Sequence, residues 1–455
     1  MILAIDQGTT GTTCLVVDDE LNVHRRGYAE LPQHFPQPGW VEHDPEEIWQ
    51  SVLAAAKQAG LDGVDTVAIT NQRETTLVWD RASGTPVAPA IVWQDRRTAA
   101  RCRELDAELI RARTGLVPDP YFSATKLEWL LGRHRRKGLA FGTVDTWLIW
   151  KLTGGTVHAT DVTNASRTML ASLESLASLD WDDELLALFG VDRALLPEIR
   201  RSDASFGAGE LLGRAVEIRG IAGDQQAALY GQGCHHAGEG KATYGTGSFV
   251  LVHTGDDASP PPHGLLKTAA ADGYALEGAV LVSGAAIQWL RDGLGVLGDA
   301  AESEALARSV ESSGGVYFVP ALTGLGSPWW DSDARGLISG LTRGTTRAHL
   351  ARAALEAIAH QVADVVDALP ESPAVLRADG GATANAFLMQ LQADLLGVPV
   401  EVAAERETTA LGAAALAAGH GARVAVGATF EPQLGPDERA SLREGWRAAL
   451  NRSRT

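Results

Sequence analysis

The sequence predicts an α/β protein of two domains with a ligand cleft between them, and three observations carry that prediction. The chain has 455 residues. One ordinary hydrophobic core does not organise that length, so two domains of about 200 residues or more are expected. Strand-like apolar runs alternate with helical segments in both halves, as α/β architecture requires. An apolar run also passes into a small Gly/Thr-rich turn four times, at "AIDQGTTGT", "ATYGTGSF", "VLVSGAA" and "LRADGGATAN". Glycine after a strand is usually only a turn. Four such turns, split across the halves, offer backbone N–H groups that converge on phosphate oxygens, with glycine allowing close approach. None has the Walker A spacing or the dinucleotide fingerprint.

The elements follow in order. "ILAIDQGTTGTTCLVVDDELNVHRRGYAEL" reads strand, turn, strand, turn, strand, with Asp18, Asp19 and Glu20 in the hairpin turn. Asp44-Pro45-Glu46-Glu47 is a helix start with a cap, a proline at the first position and acids in the first turn. Gly60 ends that helix. "DTVAITNQRETTLVWD" is a buried strand, a polar interruption and a second strand, and "SATKLEWLLGR" and "TVDTWLIWKLTG" are helices. The theme repeats after Gly231, which sets expected domains at 1–232 and 233–455. "TRAHLARAALEAIAHQVADVVDAL" is a long helix with apolar residues at helical spacing, and "PPPHG" at 260–264 is a loop.

Composition excludes several classes. Hydrophobic content of 45% and charged content of 21% are those of a soluble globular protein. A net charge of −18 argues against a surface that tracks nucleic acid. Cys14, Cys102 and Cys234 are odd in number and widely spaced, which gives no disulfide framework or metal spacing and fits a reducing cytoplasm. The N-terminus lacks a basic n-region, and no apolar run is long enough for a bilayer, so neither secretion nor membrane insertion is expected.

Several residues are candidates for chemistry. Asp6 ends an apolar strand just before Gly8-Thr9-Thr10-Gly11. Asp commonly initiates turns. A carboxylate at a strand's C-terminal end also lies where α/β sheets bind ligands, and there it would help hold Mg²⁺ through water. Arg73 and Glu74 lie in the polar interruption "NQRE". Successive strand residues face opposite ways, so the two meet one ligand only from an irregular strand end. There they supply the donors and acceptors that adjacent hydroxyls of a polyol need. Trp93 and Tyr121 are aromatics near polar residues, suited either to a core or to the C–H groups of a polyol. Asp224 in "GIAGDQQAALYG" has the look of a helix N-cap. It also follows an apolar strand and a glycine near the chain midpoint, where the base for phosphoryl transfer would face a cleft.

These segments, with "PGWVEHDPEEIW", "IVWQDRRTA", "PYFSATKLEWLL", "GIAGDQQAALYGQ", "VPALTGLGSPWWDSDARG" and "LRADGGATANAFLMQLQADLLGVPVE", resemble the FGGY carbohydrate kinases over nearly the whole chain and in the family's order. "NQRET" and "GDQQAAL" are similar to the branch acting on glycerol. The resemblance implies two actin/ribonuclease H-like domains with ATP and Mg²⁺ in the cleft, and conversion of glycerol and ATP to sn-glycerol 3-phosphate and ADP. It implies Asp224 as general base and Arg73, Glu74, Tyr121, Asp224 and Gln225 as the glycerol-bonding set. Trp93 and Phe249 would pack on the glycerol carbons. Thr9, Thr10 and Gly11 match a first phosphate loop and Thr246 a second, while Gly284, Gln288, Gly381 and Asn385 match positions around the nucleotide. Asp6 and Asp224 are the expected metal-side carboxylates. A homodimer or higher homo-oligomer is the implied assembly.

Three departures from the family pattern stand out. Thr13 occupies the place of an arginine that helps with the nucleotide phosphates, and a hydroxyl cannot replace a guanidinium's charge. The segment before Asp224 is shortened to "LLGRAVEIRG", which speaks against the fructose 1,6-bisphosphate regulation of some members. The chain after "TTALGAAALAAG" is abbreviated. Two alternatives remain at this level: a family kinase for another polyol or sugar, and a non-catalytic actin-like nucleotide-binding module.

Overall fold

The computed structural model describes residues 1–134, 136–421 and 424–454. The first sheet holds β1 (Ile2–Gln7), β2 (Gly11–Val17), β3 (Val23–Glu30), β4 (Thr66–Asn71), β5 (Ser205–Leu211) and β6 (Arg214–Gly223) in the order β5-β6-β4-β1-β2-β3. The β1-β2-β3 meander is antiparallel, whereas β1, β4 and β6 run parallel. The second sheet holds β7 (Gly240–Tyr244), β8 (Ser248–His253), β9 (Leu266–Ala270), β10 (Gly273–Val280), β11 (Leu376–Asp379), β12 (Val400–Ala403) and β13 (Val426–Phe430) in the order β9-β10-β8-β7-β11-β12-β13. Setting aside the extra edge strands β5, β9 and β13, both sheets have one plan. Three antiparallel strands are followed by two parallel ones, in the order third, second, first, fourth, fifth. This duplicated α/β plan is the fold class expected from the sequence.

Local signals place the helices. In α1 (Pro45–Ala59) the Asp44 carboxylate accepts from the Glu46 N–H at 2.8 Å, and Gly60 with φ 75° ends the helix. Further along lie α2 (Val144–Leu152), α3 (Asp224–Gly231), α4 (Gly284–Asp292), α5 (Arg347–Asp367), α6 (Ala386–Leu396) and α7 (Thr408–Ala418). Side chains alternate across β1 and β2. Leu3, Ile5, Cys14 and Val16 pack with α1 and α2, while Ile2, Ala4, Leu15 and Val17 pack under Ala410, Leu411, Ala413, Ala414 and Ala417 of α7. Burial on both faces explains why β1 reads as a continuous apolar run.

The two halves exchange helices. α3 follows the first sheet, yet its Leu229 packs with Leu251, Ala270 and Ala275 of the second. α7 follows the second sheet and covers the first. The helices cross on glycines. A Cβ on Gly231 would meet the Thr408 carbonyl oxygen at 2.5 Å, and one on Gly412 would strike the Ala227 carbonyl. No helix among the described residues is long and apolar enough to cross a membrane.

Candidate active site

Strand ends of both sheets deliver the candidate residues. Asp6 is the next-to-last residue of β1, Asp224 follows β6, Thr246 follows β7, and Gly381 follows β11. Ligands of α/β sheets bind at such carboxyl ends.

One side of the candidate site is built around Arg73. Its backbone follows β4, and the next residue, Glu74, has φ 60°. That left-handed conformation is uncommon for a residue with a Cβ and is typical of sites where function fixes the backbone. It is the irregular strand end the sequence requires, and it lets neighbouring residues serve one network. Arg73 Nη2 donates to the Tyr121 hydroxyl at 3.1 Å, and Arg73 Nε lies 3.2 Å from Asp224 Oδ1. Its terminal nitrogens also grip both oxygens of Glu277, at 2.6 and 2.9 Å. Glu74 accepts from Arg167 Nε at 2.6 Å, and Arg167 Nη2 reaches Glu277 at 3.1 Å. These four charged groups are almost wholly buried, whereas the Asp224 side chain keeps 30% of its exposure. Asp224 is thus the member of the set open to the cleft.

The reading of Asp224 as a helix cap is corrected. Gly223 is the N-cap and, lacking a side chain, offers no capping acceptor; Asp224 is the first helical residue. Its Oδ1 accepts from the Gln225 N–H at 2.7 Å. The carboxylate still sits favourably at the positive end of the helix. Burial pushes its pKa above the ordinary carboxylate value, and the nearby Arg73 and Lys241 charges pull it back in part. Gln225 is held through its Oε1, which accepts from Lys241 Nζ at 2.5 Å, and Lys241 also donates to Thr243 Oγ1 at 2.7 Å. An apolar wall completes this side. The Trp93 ring lies edge-on to Tyr121 at 5.6 Å and to Phe249 at 6.2 Å, and the Arg73 guanidinium sits 5.8 Å from the Phe249 ring centre.

A cavity of about 470 Å³ lies on the second half, and Thr246, Gly284, Gln288, Gly381 and Asn385 all line it. Its size is that of a small-molecule site. Tyr244 to Thr246, the start of α4 and the turn after β11 meet there backbone to backbone. A Cβ on Gly284 would come within 2.6 Å of the Gly245 carbonyl, and one on Gly380, at φ 92°, within 2.5 Å of the Tyr244 carbonyl. Asn385 caps α6 by accepting from the Leu388 N–H at 3.0 Å. A second cavity of about 200 Å³ is lined by Trp93, Tyr121 and Thr246 among others, so that Thr246 borders both cavities. Thr9 Oγ1, in the first glycine turn, accepts from Trp93 Nε1 at 2.9 Å. Gly8 N–H to Gly11 O at 2.9 Å closes that turn around Thr9 and Thr10.

Asp6 has no ion-pair partner among the described residues; its Oδ2 accepts from Thr409 Oγ1 at 2.5 Å. Burial raises its pKa to about 7 against the Thr409 hydrogen bond, with Asp224, Glu407 and Asp379 adding to the rise. This local excess of carboxylate fits a divalent cation. No cluster of three His, Cys, Asp or Glu side chains among the described residues is placed to hold a metal directly. Mg²⁺ commonly keeps several waters and is shared with substrate phosphates, and the residues fit that mode. Thr13 pairs with Asp6 across β1 and β2 and adds no charge there.

Sequence reasoning missed Arg167, Lys241, Glu277, Asp379 and Thr409. Glu277 carried a signal, being the only charge in the apolar strand "GYALEGAV". Lys241 stands likewise in "GKATY".

Residues 1–231 match the N-terminal domain of the FGGY family of carbohydrate kinases, and residues 240–420 match its C-terminal domain. A glycerol kinase of Alkalilimnicola ehrlichii is 51% identical over 99% of this chain and 98% of its own. One of Thermus brockianus is 52% identical over 100% of this chain and 98% of its own. Among solved structures, Plasmodium falciparum glycerol kinase with ADP superposes with a TM-score of 0.87 at 34% identity, covering 99% of this chain and 98% of that one. Gluconate kinase from Lactobacillus acidophilus has a TM-score of 0.86 at 22% identity over 99% and 96%, a likeness of fold. The chain belongs to the FGGY family of carbohydrate kinases.

Proposed function

We propose that the protein transfers the γ-phosphoryl group of ATP to a hydroxyl of glycerol, giving sn-glycerol 3-phosphate and ADP. The observation that carries this is the acceptor set. Arg73 links Tyr121 and Asp224 within 3.2 Å, beside the Trp93–Phe249 wall, with Glu74 and Gln225 in the same network. Donors, acceptors and an apolar wall in one small site suit a short polyol. Relatives about half identical over nearly the whole chain are glycerol kinases.

In this reading Arg73, Glu74, Tyr121 and Gln225 fix the hydroxyls, and Trp93 and Phe249 cover the carbons. Asp224 accepts the proton of the attacking hydroxyl late in the step. Burial raises its basicity toward working pH, which suits a general base. The backbone amides and hydroxyls of Thr9, Thr10, Gly11 and Thr246 stabilise charge on the transferred group. The 470 Å³ cavity, with Gly284, Gln288, Gly381 and Asn385, takes the nucleotide. ATP supplies the phosphoryl donor, with Mg²⁺ neutralising phosphate charge. Asp6 and Asp224 would hold that metal through water. Domain 1–232 then supplies most of the acceptor site, with Phe249 added from 233–455, which also supplies the nucleotide site, and closure between them excludes water. The family resemblance supports a cytoplasmic homodimer or higher homo-oligomer.

The test is ADP release with glycerol, dihydroxyacetone, longer polyols and pentuloses, with a no-acceptor control. Glycerol is expected to give the highest kcat/KM. Asp224→Asn is expected to keep the fold, because its side-chain oxygen still accepts from Gln225, and to lose turnover by about 10²-fold or more. Near-normal turnover in that variant would sink the base assignment.

A further inference from the structure

We propose that Glu277 is a positioning residue of the acceptor site, through which the second half of the chain holds the arginine that the first half presents to substrate. The proposal rests on the acceptor role of Arg73 given above. Glu277 lies on β10, fully buried, and spends both carboxylate oxygens on guanidinium groups of the first half. The contacts form a closed ring of alternating charge: Arg73 to Glu277 at 2.6 Å, Glu277 to Arg167 at 3.1 Å, Arg167 to Glu74 at 2.6 Å, and Glu74 to Arg73 at 3.9 Å.

A buried ring of this kind is weak evidence for stability, since an apolar replacement of equal volume often serves as well. Its effect is on geometry. Arg73 is a planar fork, and a bidentate carboxylate fixes the plane of that fork as no single hydrogen bond does. With Nη1 and Nη2 engaged by Glu277, Tyr121 and Gln226, the Nε edge is turned to Asp224. Arg167 does the same for Glu74. The adjacent pair in "NQRE" is therefore set by residues distant in sequence, one of them across the cleft. The acceptor arginine has its working orientation only while the two sheets are together. Opening the cleft by separating them would take Glu277 from both guanidiniums. Acceptor binding and closure are thus coupled, and the coupling passes through one carboxylate.

The experiment is steady-state kinetics of Glu277→Gln and Glu277→Asp with both substrates varied, alongside thermal unfolding by circular dichroism. Loss of a charged hydrogen-bond partner predicts a rise in KM for glycerol of about tenfold or more in Glu277→Gln. KM for ATP stays within about twofold, as expected for a change confined to acceptor binding. Glu277→Asp recovers part of the loss. Unchanged KM for glycerol, with or without a lower melting temperature or kcat, overturns the proposal. Should neither variant fold, hydrogen exchange of the wild-type protein with glycerol alone decides. Slowed exchange in residues 273–280 supports the coupling, and protection confined to the first half overturns it. Absence of glycerol-dependent ADP release in the wild type would instead refute the function, and the hydrogen-exchange result would then judge Glu277 with whichever acceptor the panel identifies.

Discussion

Replacing Lys241 with methionine separates stability from function. The Lys241 side chain is fully buried, and burial lowers its pKa from 10.5 to about 8 although Asp379 and Asp224 raise it. That shift corresponds to a destabilisation of about 3 kcal/mol at neutral pH, which methionine removes while filling similar space. Against this gain, the Gln225 and Thr243 oxygens lose their donor. A buried acceptor left unpaired costs about 1–3 kcal/mol, and the nearby carboxylates lose a counter-charge. The opposing effects are of equal order, so Lys241→Met should unfold in urea within about 1–2 kcal/mol of wild type at pH 7. Acceptor binding has no such compensation, because Gln225 is no longer held. KM for glycerol is expected to rise about tenfold, equivalent to one hydrogen bond of this class. The sign of the pH dependence follows from linkage. Between about pH 8 and 10.5 the unfolded chain keeps a proton on Lys241 that the folded protein has released. Wild type therefore gains stability relative to the variant as pH rises through that window, by up to about 3 kcal/mol. A variant with unchanged KM for glycerol, or a wild-type advantage that shrinks with rising pH, would refute the reasoning.

His43 and His158 are held neutral by burial, each with its pKa lowered to about 4. The unfolded chain takes up protons near pH 6.5, so native stability is full above that pH and falls toward pH 4, by at most about 3 kcal/mol per histidine; thermal midpoints across that range should flatten in the His43→Gln/His158→Gln double variant. Gly412→Ala forces a Cβ onto the Ala227 carbonyl where α3 and α7 cross. Overpacking of this kind costs about 1–3 kcal/mol in urea unfolding, whereas an unchanged midpoint would mean that the helices separate freely.

Much of this architecture was legible because local and global signals agree. The Asp44-Pro45 start, the Gly60 stop and the turn between β2 and β3 are all formed as the sequence implies. The four glycine turns lie at the cleft because each ends a strand or starts a helix at the same edge of its sheet. Asp224 was misread locally for a physical reason. An acid one residue into a helix and an acid at the cap have the same neighbours in sequence, and only the backbone angles at Gly223 distinguish them. Glu277 and Arg167 escaped notice because their meaning lies in pairing across 93 to 204 residues, and Lys241 because its partner Gln225 stands on another element 16 residues away, which no local pattern encodes. The one available signal was a charge inside an apolar strand. Such a charge has to find a partner when buried, and that requirement points to the opposite half.

The exchanged helices and the charged ring bear on the same motion. α3 carries Asp224 at its first residue and packs into the second half, while α7 begins with Thr408 and Thr409 and packs onto the first. Thr409 donates to Asp6, and Thr408 donates to Asp379, which also accepts from Gln232 at 2.7 Å. The carboxylates near the ends of β1 and β11 are thus tied to adjacent residues of one helix start. Rotation of one sheet against the other therefore has to carry Asp6 and Asp379 together or break one of these ties, because both carboxylates are held by the same helix start. Glu277 links the same motion to Arg73. Packed elements with two arrangements are the physical basis of such coupling. Glycerol binding at Arg73 should then order the start of α7 as well as β10. Slower exchange at residues 408–412 on addition of glycerol would follow from that geometry, and its absence would confine the coupling to the Glu277 ring.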